Sequence, residues 1–341
     1  MQKKIIALAV AGLVSGAAFA QSNVTIYGVA DAYFAHANAD GKDATNVVNS
    51  GGLSGSRLGF KGTEDLGGGL KALFVLEYML TLDENVGVGA GGTQSGSNAR
   101  QQLLGLTGNW GTFVAGRAQT TGYDFSCASS TVAGSALDAM AKLGAATLVS
   151  CGNAGRANNA VAYISPTFSG FTFAYNHARV TEAAVGDDSY GNLVSVSYAN
   201  GPVTAGLVYS KIDMSSTAAD DDVTEWGLRG SYDFGMAKVG ASWQSQEVGN
   251  VDGKKWQIFG AIPVSAAGTV HLQYAANDID GKDNDSKAWT LAYTHGLSKR
   301  TTAYAGYTHV SNDDAATRAA VLTPKAGGDS SVWAVGLRHT F

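Results

Sequence analysis

The last nine residues of the chain, 333–341, have a pattern that few folds can accommodate. Large apolar side chains alternate there with small or polar ones, and this period of two predicts a β-strand with one apolar face. The strand ends on Phe341, and a terminal aromatic ring has a natural place in the interfacial girdle of a closed membrane barrel. We therefore predict a terminal strand whose apolar face points toward lipid, with Phe341 as its C-terminal assembly signal.

The first twenty residues predict export. Lys3 and Lys4 precede an apolar run, and an Ala-Phe-Ala triplet at 18–20 forms a small-residue cleavage site. This arrangement is typical of a secretory signal peptide, and its apolar run is too short to cross a bilayer. We assign residues 1–20 to a cleaved signal peptide and residues 21–341 to the folded protein.

The composition of the remaining chain also favours a membrane barrel. Only 15% of residues are charged, glycines number 45, and mean hydropathy is −0.01. Lipid-facing and water-facing side chains alternate along a membrane strand, so their hydropathies average out. No segment approaches the roughly 18 consecutive apolar residues of a membrane helix. The formal charge of −5 argues against nucleic acid as a partner.

Predicted connections between strands alternate in length along the chain. Short turns fall at residues 64–68, 109–110, 166–170, 200–202, 234–236, 265–268 and 296–300. Long polar loops fall near residues 38–52, 83–99, 120–157, 180–189, 212–222, 248–252, 278–285 and 312–329. Short turns at one end and long loops at the other are typical of outer-membrane barrels. The fold class is therefore all-β, a transmembrane antiparallel barrel of sixteen strands.

Charged residues assign the faces of the predicted strands. An unpaired charge at mid-membrane on the lipid face costs about 2–4 kcal/mol, so charged side chains should point into the lumen. Lys71 and Glu77 are accordingly placed inward and Phe74 outward. The same rule places Arg117 inward, with Val114 on the lipid face of that strand.

Sequence blocks along the whole mature chain resemble general Gram-negative porins of the β-proteobacterial type. The blocks are residues 56–78, 111–117 (GTFVAGR), 163–173 (YISPTFSGFTF), 197–202 (SYANGP), 297–307 (LSKRTTAYAGY) and 335–341 (VGLRHTF). The resemblance implies a trimeric barrel in the outer membrane, with its third long loop folded into the lumen. Two departures are the absence of a Pro-Glu-Phe-Gly motif in that loop and the presence there of two cysteines, which many relatives lack.

The third long loop, residues 120–157, is the candidate functional element, because connections longer than about 15 residues are usually functional or disordered. Ser135 and Asp138 form a capping-box pattern, and Lys142 follows Asp138 at a spacing of four. The pattern predicts a two-turn helix with Asp138 and Lys142 facing water. Leu137 and Met140 are predicted to face a wall.

Both cysteines of the chain, Cys127 and Cys151, bracket that predicted helix. Two cysteines in an exported chain are expected to pair, and these have no other candidates. We therefore predict a disulfide, with two free thiols as the alternative.

Basic side chains are predicted to line the wall opposite the third loop. Arg57 is estimated to lie beside Val75 and diagonal to Glu77 on the neighbouring strand. The predicted pore constriction comprises Arg57, Lys61, Glu77, Arg100, Arg117, Asp124 and Asp138. Two interpretations stay open. The basic wall sets a field that governs ion selectivity, or the arginines satisfy lumenal carboxylates.

Acidic residues are frequent in the predicted outer loops, at positions 220–222, 278, 280, 283, 285, 313 and 314. Such runs are most often solvated surfaces, and divalent bridging to lipopolysaccharide phosphates is the alternative. The six histidines are scattered, and no metal site, cofactor or catalytic constellation is predicted. A G-x-G-x-x-G match at residues 87–92 lies in a loop without a following helix and carries no weight.

The function predicted from these observations is a diffusion channel for small hydrophilic solutes and ions. The mature chain is acidic overall, but charges in a narrow passage act more strongly than screened charges on outer loops. We therefore expect a weak anion preference, a homotrimer, and contact with outer-membrane lipid and lipopolysaccharide. Two alternatives stay open: a barrel hydrolase, and a structural or adhesive barrel with a closed lumen.

Overall fold

The computed structural model describes residues 24–88, 99–144, 147–179, 189–214, 222–281 and 283–341. Its strands are β1 Thr25–Ala39, β2 Thr45–Ser50, β3 Arg57–Gly67, β4 Leu70–Met79, β5 Ala99–Gly108, β6 Gly111–Gln119, β7 Arg156–Ile164, β8 Phe171–Arg179, β9 Tyr190–Asn200, β10 Val203–Asp213, β11 Val223–Asp233, β12 Lys238–Val248, β13 Val251–Pro263, β14 Gly268–Ile279, β15 Ser286–Gly296, β16 Thr301–Asn312 and β17 Ser330–Thr340. Between β6 and β7 lie helix α1, Thr121–Cys127, and two 3₁₀ helices, Met140–Leu143 and Asn153–Gly155.

Neighbouring strands pair antiparallel, and the sheet closes on itself. β1 pairs with β17 from Val29 opposite Thr340 to Ala39 opposite Ser330. On its other side, β1 pairs with β2 over one half of its length and with β3 over the other. β2 and β3 therefore share one position in the wall, and the described strands fill sixteen positions. The prediction of a sixteen-stranded antiparallel barrel is confirmed.

The two faces of each strand differ as a membrane barrel requires. In β11, exposed Trp226 and Leu228 alternate with buried Glu225 and Gly227. Large apolar side chains are exposed at alternate positions around the wall, because that face meets lipid in place of water. In β4 Glu77 is buried and Leu76 is exposed, which agrees with the predicted faces.

Two predicted connections differ from the structure. Residues 248–252 are not a long loop, because β12 and β13 remain paired up to Val248 opposite Val251. Gly249 has a φ of +57° in the tight turn between them, a backbone conformation that glycine adopts readily. The predicted loop at 38–52 contains β2, which extends the wall beside the outer half of β1.

The gap between β2 and β3 is bridged by a buried carboxylate. Asp31 has no exposed surface, and its oxygens accept hydrogen bonds from the amides of Gly52, Leu53 and Ser54 at 3.0, 2.8 and 2.9 Å. The Tyr304 hydroxyl donates a further hydrogen bond to the same carboxylate. These donors replace the ladder bonds that the gap omits, and they fix the segment against the inner wall.

The chain terminus closes the barrel beside β1. The amides of Gly28 and Phe341 each donate to the other's carbonyl at 3.1 Å. The Phe341 ring lies so close to Gly28 that a Cβ at this position would collide with it. The role of Phe341 as an assembly signal stays a prediction.

The predicted signal peptide, residues 1–20, lies outside the described residues and stays a prediction. Within the described ranges, no helix has the length and apolar character needed to cross a membrane.

Candidate functional site

The third loop contains shorter helices than the sequence predicts. α1 begins after Thr120, whose hydroxyl accepts a hydrogen bond from the Tyr123 amide, as expected of an N-cap. The predicted two-turn helix around Asp138 is replaced by turns and the 3₁₀ helix Met140–Leu143. The reason is local, because the Asp138 carboxylate accepts from the Gly134 amide at 2.8 Å instead of facing water.

Apolar side chains of this loop pack against the inner face of the barrel in two places. Leu148 is buried among small and aliphatic side chains of β6 to β11, including Leu193 and Ile212. Leu137 and Met140 are buried against β1 and β14 to β17. The contacts of the loop thus run along the inner wall on both sides of the barrel.

Polar side chains of the wall hold the loop backbone in place. Glu225 on β11 accepts hydrogen bonds from the amides of Thr147, Leu148 and Val149 at 2.7, 2.9 and 3.2 Å. Gln273 on β14 accepts from the Ala139 amide at 2.9 Å. The carboxylate of Glu225 is buried, so its hydrogen bonds offset the cost of desolvating it.

A disulfide joins Cys127 at the end of α1 to Cys151 near the start of β7, with Cα atoms 4.8 Å apart. The predicted pairing is confirmed. The bond closes a segment that includes both places where the loop packs on the wall. Closing a loop of about 25 residues removes roughly 3–4 kcal/mol of unfolded-state entropy.

We expect the disulfide to restrain motion of the loop within an assembled barrel. Replacing Cys127 and Cys151 by serine should leave the barrel intact on a denaturing gel but raise the open-channel current noise in planar bilayers. Reduction of the natural protein should produce the same noise, and the variant should not respond to reductant. Equal noise before and after verified reduction would contradict this expectation.

The wall from β3 to β5 carries a cluster of charged side chains. Arg100 Nε donates to Glu77 Oε1 at 2.7 Å, and Arg57 Nε lies 3.7 Å from Glu77 Oε2. The Tyr27 hydroxyl donates to the same carboxylate at 3.0 Å. Arg57 is paired with Met79 and not with Val75, but its diagonal relation to Glu77 is as estimated. The arginines therefore do satisfy a lumenal carboxylate, and two guanidinium groups share one acid.

Arg156, which was missing from the predicted set, belongs to the same cluster. It lies at the start of β7, and its guanidinium carbon is 4.5 Å from the centre of the Tyr123 ring on α1. It interacts electrostatically with Arg100 and Glu77, which lie on β5 and β4. An arginine that follows a long loop gives no periodic signal of its direction, so the sequence pattern did not single it out.

Arg117 does not point into the lumen as predicted, although it lies close enough to Arg156 to interact with it electrostatically. In the β5–β6 register it lies opposite Gln102, which shares the exposed face of Leu104. Val114 is buried beside inward-facing Leu73, the reverse of the predicted orientation. The guanidinium of Arg117 is instead bound near the strand ends. It donates to the Ala99 carbonyl and to the side chains of Asn158 and Asn153.

The remaining predicted residues have different environments. Lys61 Nζ lies 5.1 Å from the centre of the Tyr27 ring on the inner face. Asp124 on α1 is half-buried, and burial raises its pKa to about 7, although Arg229 and Arg156 oppose the shift. Asp138 is buried within the loop and accepts from the Gly134 amide, so the prediction that it faces water is wrong.

Charges near the β1–β5 wall are predominantly positive. Arg57, Lys61, Arg100 and Arg338 lie on or beside the inner face of that wall, together with Arg156 from β7. Glu77 is shared between two arginines, and Asp31 is covered by the segment it anchors. A closed membrane barrel with a loop along its inner wall and a basic cluster beside it is the arrangement of a pore.

The comparisons with known proteins agree with this architecture. The profile of the Gram-negative porin family matches residues 7–315. The chain is 36% identical to outer membrane porin protein 32 of Delftia acidovorans and 28% identical to an outer membrane porin protein of Bordetella pertussis, over the full length of both chains in each case. The anion-selective porin from Comamonas acidovorans superposes with a TM-score of 0.82 at 31% identity, covering 94% of this chain and 100% of that one.

This chain belongs to the Gram-negative porin family. It is therefore an outer-membrane diffusion channel and not an enzyme. The predicted localisation in the outer membrane is confirmed by the same relatives.

Proposed function

We propose that this porin prefers small anions, and that Arg57, Arg100 and Arg156 form the selective part of the passage. The single observation that carries the proposal is that Glu77 is the carboxylate held between two of these guanidinium groups. One acid cannot compensate the charge of three arginines. The relative described as an anion-selective porin, at 31% identity over nearly the whole chain, supports the same sign of selectivity.

The third loop contributes to this anion preference by filling part of the lumen. Its contacts with β6 to β11 and with β14 to β17 place its bulk away from the β3–β5 wall. Solutes then pass beside the arginines, where low dielectric and narrow width strengthen each charge. Lys61 and Asp124 belong to the proposed lining, and Asp124 opposes the arginines only to the extent that it is ionised.

The test of this proposal is the reversal potential of the purified protein in planar bilayers with unequal concentrations of potassium chloride on the two sides. If the channel prefers anions, the reversal potential has the sign expected when chloride is more permeant than potassium. A potential of the opposite sign would refute the proposal, whereas the absence of any channel would refute passage itself.

We propose that the native assembly is a homotrimer, on the strength of family membership. An unheated sample should migrate on a denaturing gel as a high-mass band, and a boiled sample should migrate as a single chain. A closed barrel has no free strand edges, so it resists detergent at room temperature. Heating is then needed to unfold the barrels and separate the subunits. Migration as a single chain without heating, together with a monomeric mass in native mass spectrometry, would overturn the trimer.

Contact with lipopolysaccharide is also proposed, at the rim that carries the long loops. Several acidic side chains there bind backbone amides within the loops. Asp285 accepts from Ile279 at 2.9 Å and Asp280 from Asp252 at 3.1 Å. In the described part of the chain, no group of three or more metal-ligating side chains is assembled.

A further inference from the structure

A cavity lies behind the third loop, on the side of the barrel away from the Arg57 cluster. Its volume is about 160 Å³. Leu143, Gly144 and Val149 of the loop form one side, and inner side chains of β11 to β14 form the other. Arg318, from the last long loop, closes it. The cavity is thus formed by three separate parts of the chain.

Two cations converge on this cavity. Lys255 Nζ lies 3.4 Å from the carbonyl oxygen of Gly144. The guanidinium carbon of Arg318 lies 3.0 Å from the position that a Cβ on Gly144 would occupy. Lys255 and Arg318 are close enough to repel each other electrostatically. Among the described residues, neither forms an ion pair with a carboxylate within 4.0 Å.

The nearby acids accept hydrogen bonds from other groups. Glu225 lines the cavity, but its oxygens accept three loop amides and the side-chain amide of Gln246 at 3.2 Å. Asp138 Oδ2 accepts from the Gly134 amide, and Asp138 Oδ1 is buried without a hydrogen-bond partner, but this carboxylate forms no ion pair with Lys255 or Arg318. Within the described part of the chain, Lys255 and Arg318 therefore keep donors that no carboxylate on the cavity wall pairs with.

We propose that this cavity is a binding site for a small aliphatic monocarboxylate. The carboxylate would bind between Lys255 and Arg318, where charge-assisted hydrogen bonds are strongest. Apolar side chains of the same cavity, Leu143, Val149 and Ile279, would contact the aliphatic part. A dry cavity of about 150 Å³ holds a molecule of the size of benzene, so the available volume suits about six heavy atoms, as in butyrate.

This site goes beyond the proposed passage of anions past Arg57, because the ligand is retained behind the loop and not transported along the opposite wall. A ligand here would bridge the third loop, the barrel wall and the last long loop. Binding to the folded arrangement alone stabilises it by mass action. Butyrate would therefore restrain the loop without blocking the passage.

The test is saturable binding of butyrate to the full-length, detergent-solubilised protein, measured by saturation-transfer NMR. Lys255→Met and Arg318→Met should each weaken binding by about tenfold or more, because each removes a charged donor. Lys287→Met is the matched control, since Lys287 is an exposed lysine on the outer face of β15 and does not line the cavity. It should bind butyrate as the natural protein does. Butanol, which lacks the charge, should not compete.

Three results would overturn the site: no saturable binding by the natural protein, equal affinity in Lys255→Met and Lys287→Met, or equal competition by inorganic phosphate. If Lys255→Met fails to fold, Arg318→Met decides, because it replaces a loop side chain. The reversal potential of Arg318→Met in potassium chloride should match the natural protein. Failure of the site is thereby distinguished from failure of the proposed anion passage.

Discussion

Replacing Arg57 and Arg156 together by alanine should abolish the anion preference and shift the reversal potential to zero or to the cation-selective sign. The double variant leaves Arg100 paired with Glu77 at 2.7 Å, so that the summed charge of Arg57, Arg100, Arg156 and Glu77 falls to about zero, with Lys61 and Arg338 as the remaining cations of the β1–β5 wall. In a narrow passage of reduced dielectric, this change outweighs contributions from distant outer loops, which salt screens beyond about 8–10 Å.

Arg300→Ala provides the matched control, because Arg300 has the same charge but is exposed in the short turn between β15 and β16. Its reversal potential should equal that of the natural protein. If the double variant keeps the natural selectivity, or if Arg300→Ala loses it, the cluster does not govern permeation. The outer acidic loops would then be the determinant.

Glu225→Ala should release the third loop from the wall, raise single-channel conductance and lower the voltage at which channels close. The substitution leaves the amides of Thr147, Leu148 and Val149 without their acceptor. Each unsatisfied buried donor costs about 1–3 kcal/mol, so the loss is on the order of several kcal/mol. The disulfide still holds the loop ends, which limits the change to the middle of the loop.

Glu247→Ala is the control for this experiment, since Glu247 is an exposed carboxylate near the end of the neighbouring strand. It should leave conductance and closing voltage unchanged. Glu225→Gln should have an intermediate effect, because the amide keeps one acceptor oxygen. Unchanged conductance in Glu225→Ala, with the trimer band intact on a gel, would show that apolar packing of Leu148 alone holds the loop.

The strands were predictable because their physical signal is local. In β11 exposed and buried residues alternate from Glu225 to Leu228, and in β4 the predicted inward position of Glu77 agrees with the structure. In β6 the rule that charges point inward placed Arg117 wrongly. The structure satisfies that guanidinium on the outer face with a backbone carbonyl and two asparagine side chains. Such partners come from β5, β7 and the third loop, and no pattern within β6 reveals them.

The site was less predictable than the wall because its geometry depends on contacts distant in sequence. Glu225 lies 77 residues along the chain from the Leu148 amide that it binds, and an inward-facing glutamate on a barrel strand has no distinctive spacing. Asp138 was placed in water from its helical pattern. A competing hydrogen bond to the Gly134 amide prevents that helix. The disulfide between Cys127 and Cys151 was predictable without structural information, because the chain has only two cysteines.

The pairing of β1 with β17 has a consequence for how the molecule is made. Gly28 and Phe341 are joined across about 300 residues, and closing a chain segment of that length costs roughly 5 kcal/mol of entropy. This closure is not available until β17 has been exported, so the edge of β1 that pairs with β17 stays open while the other strands form. During that interval the open edges of β1 and β17 are templates for pairing with other chains. Biogenesis of this barrel therefore requires that its two ends be kept apart from neighbouring molecules until they meet each other.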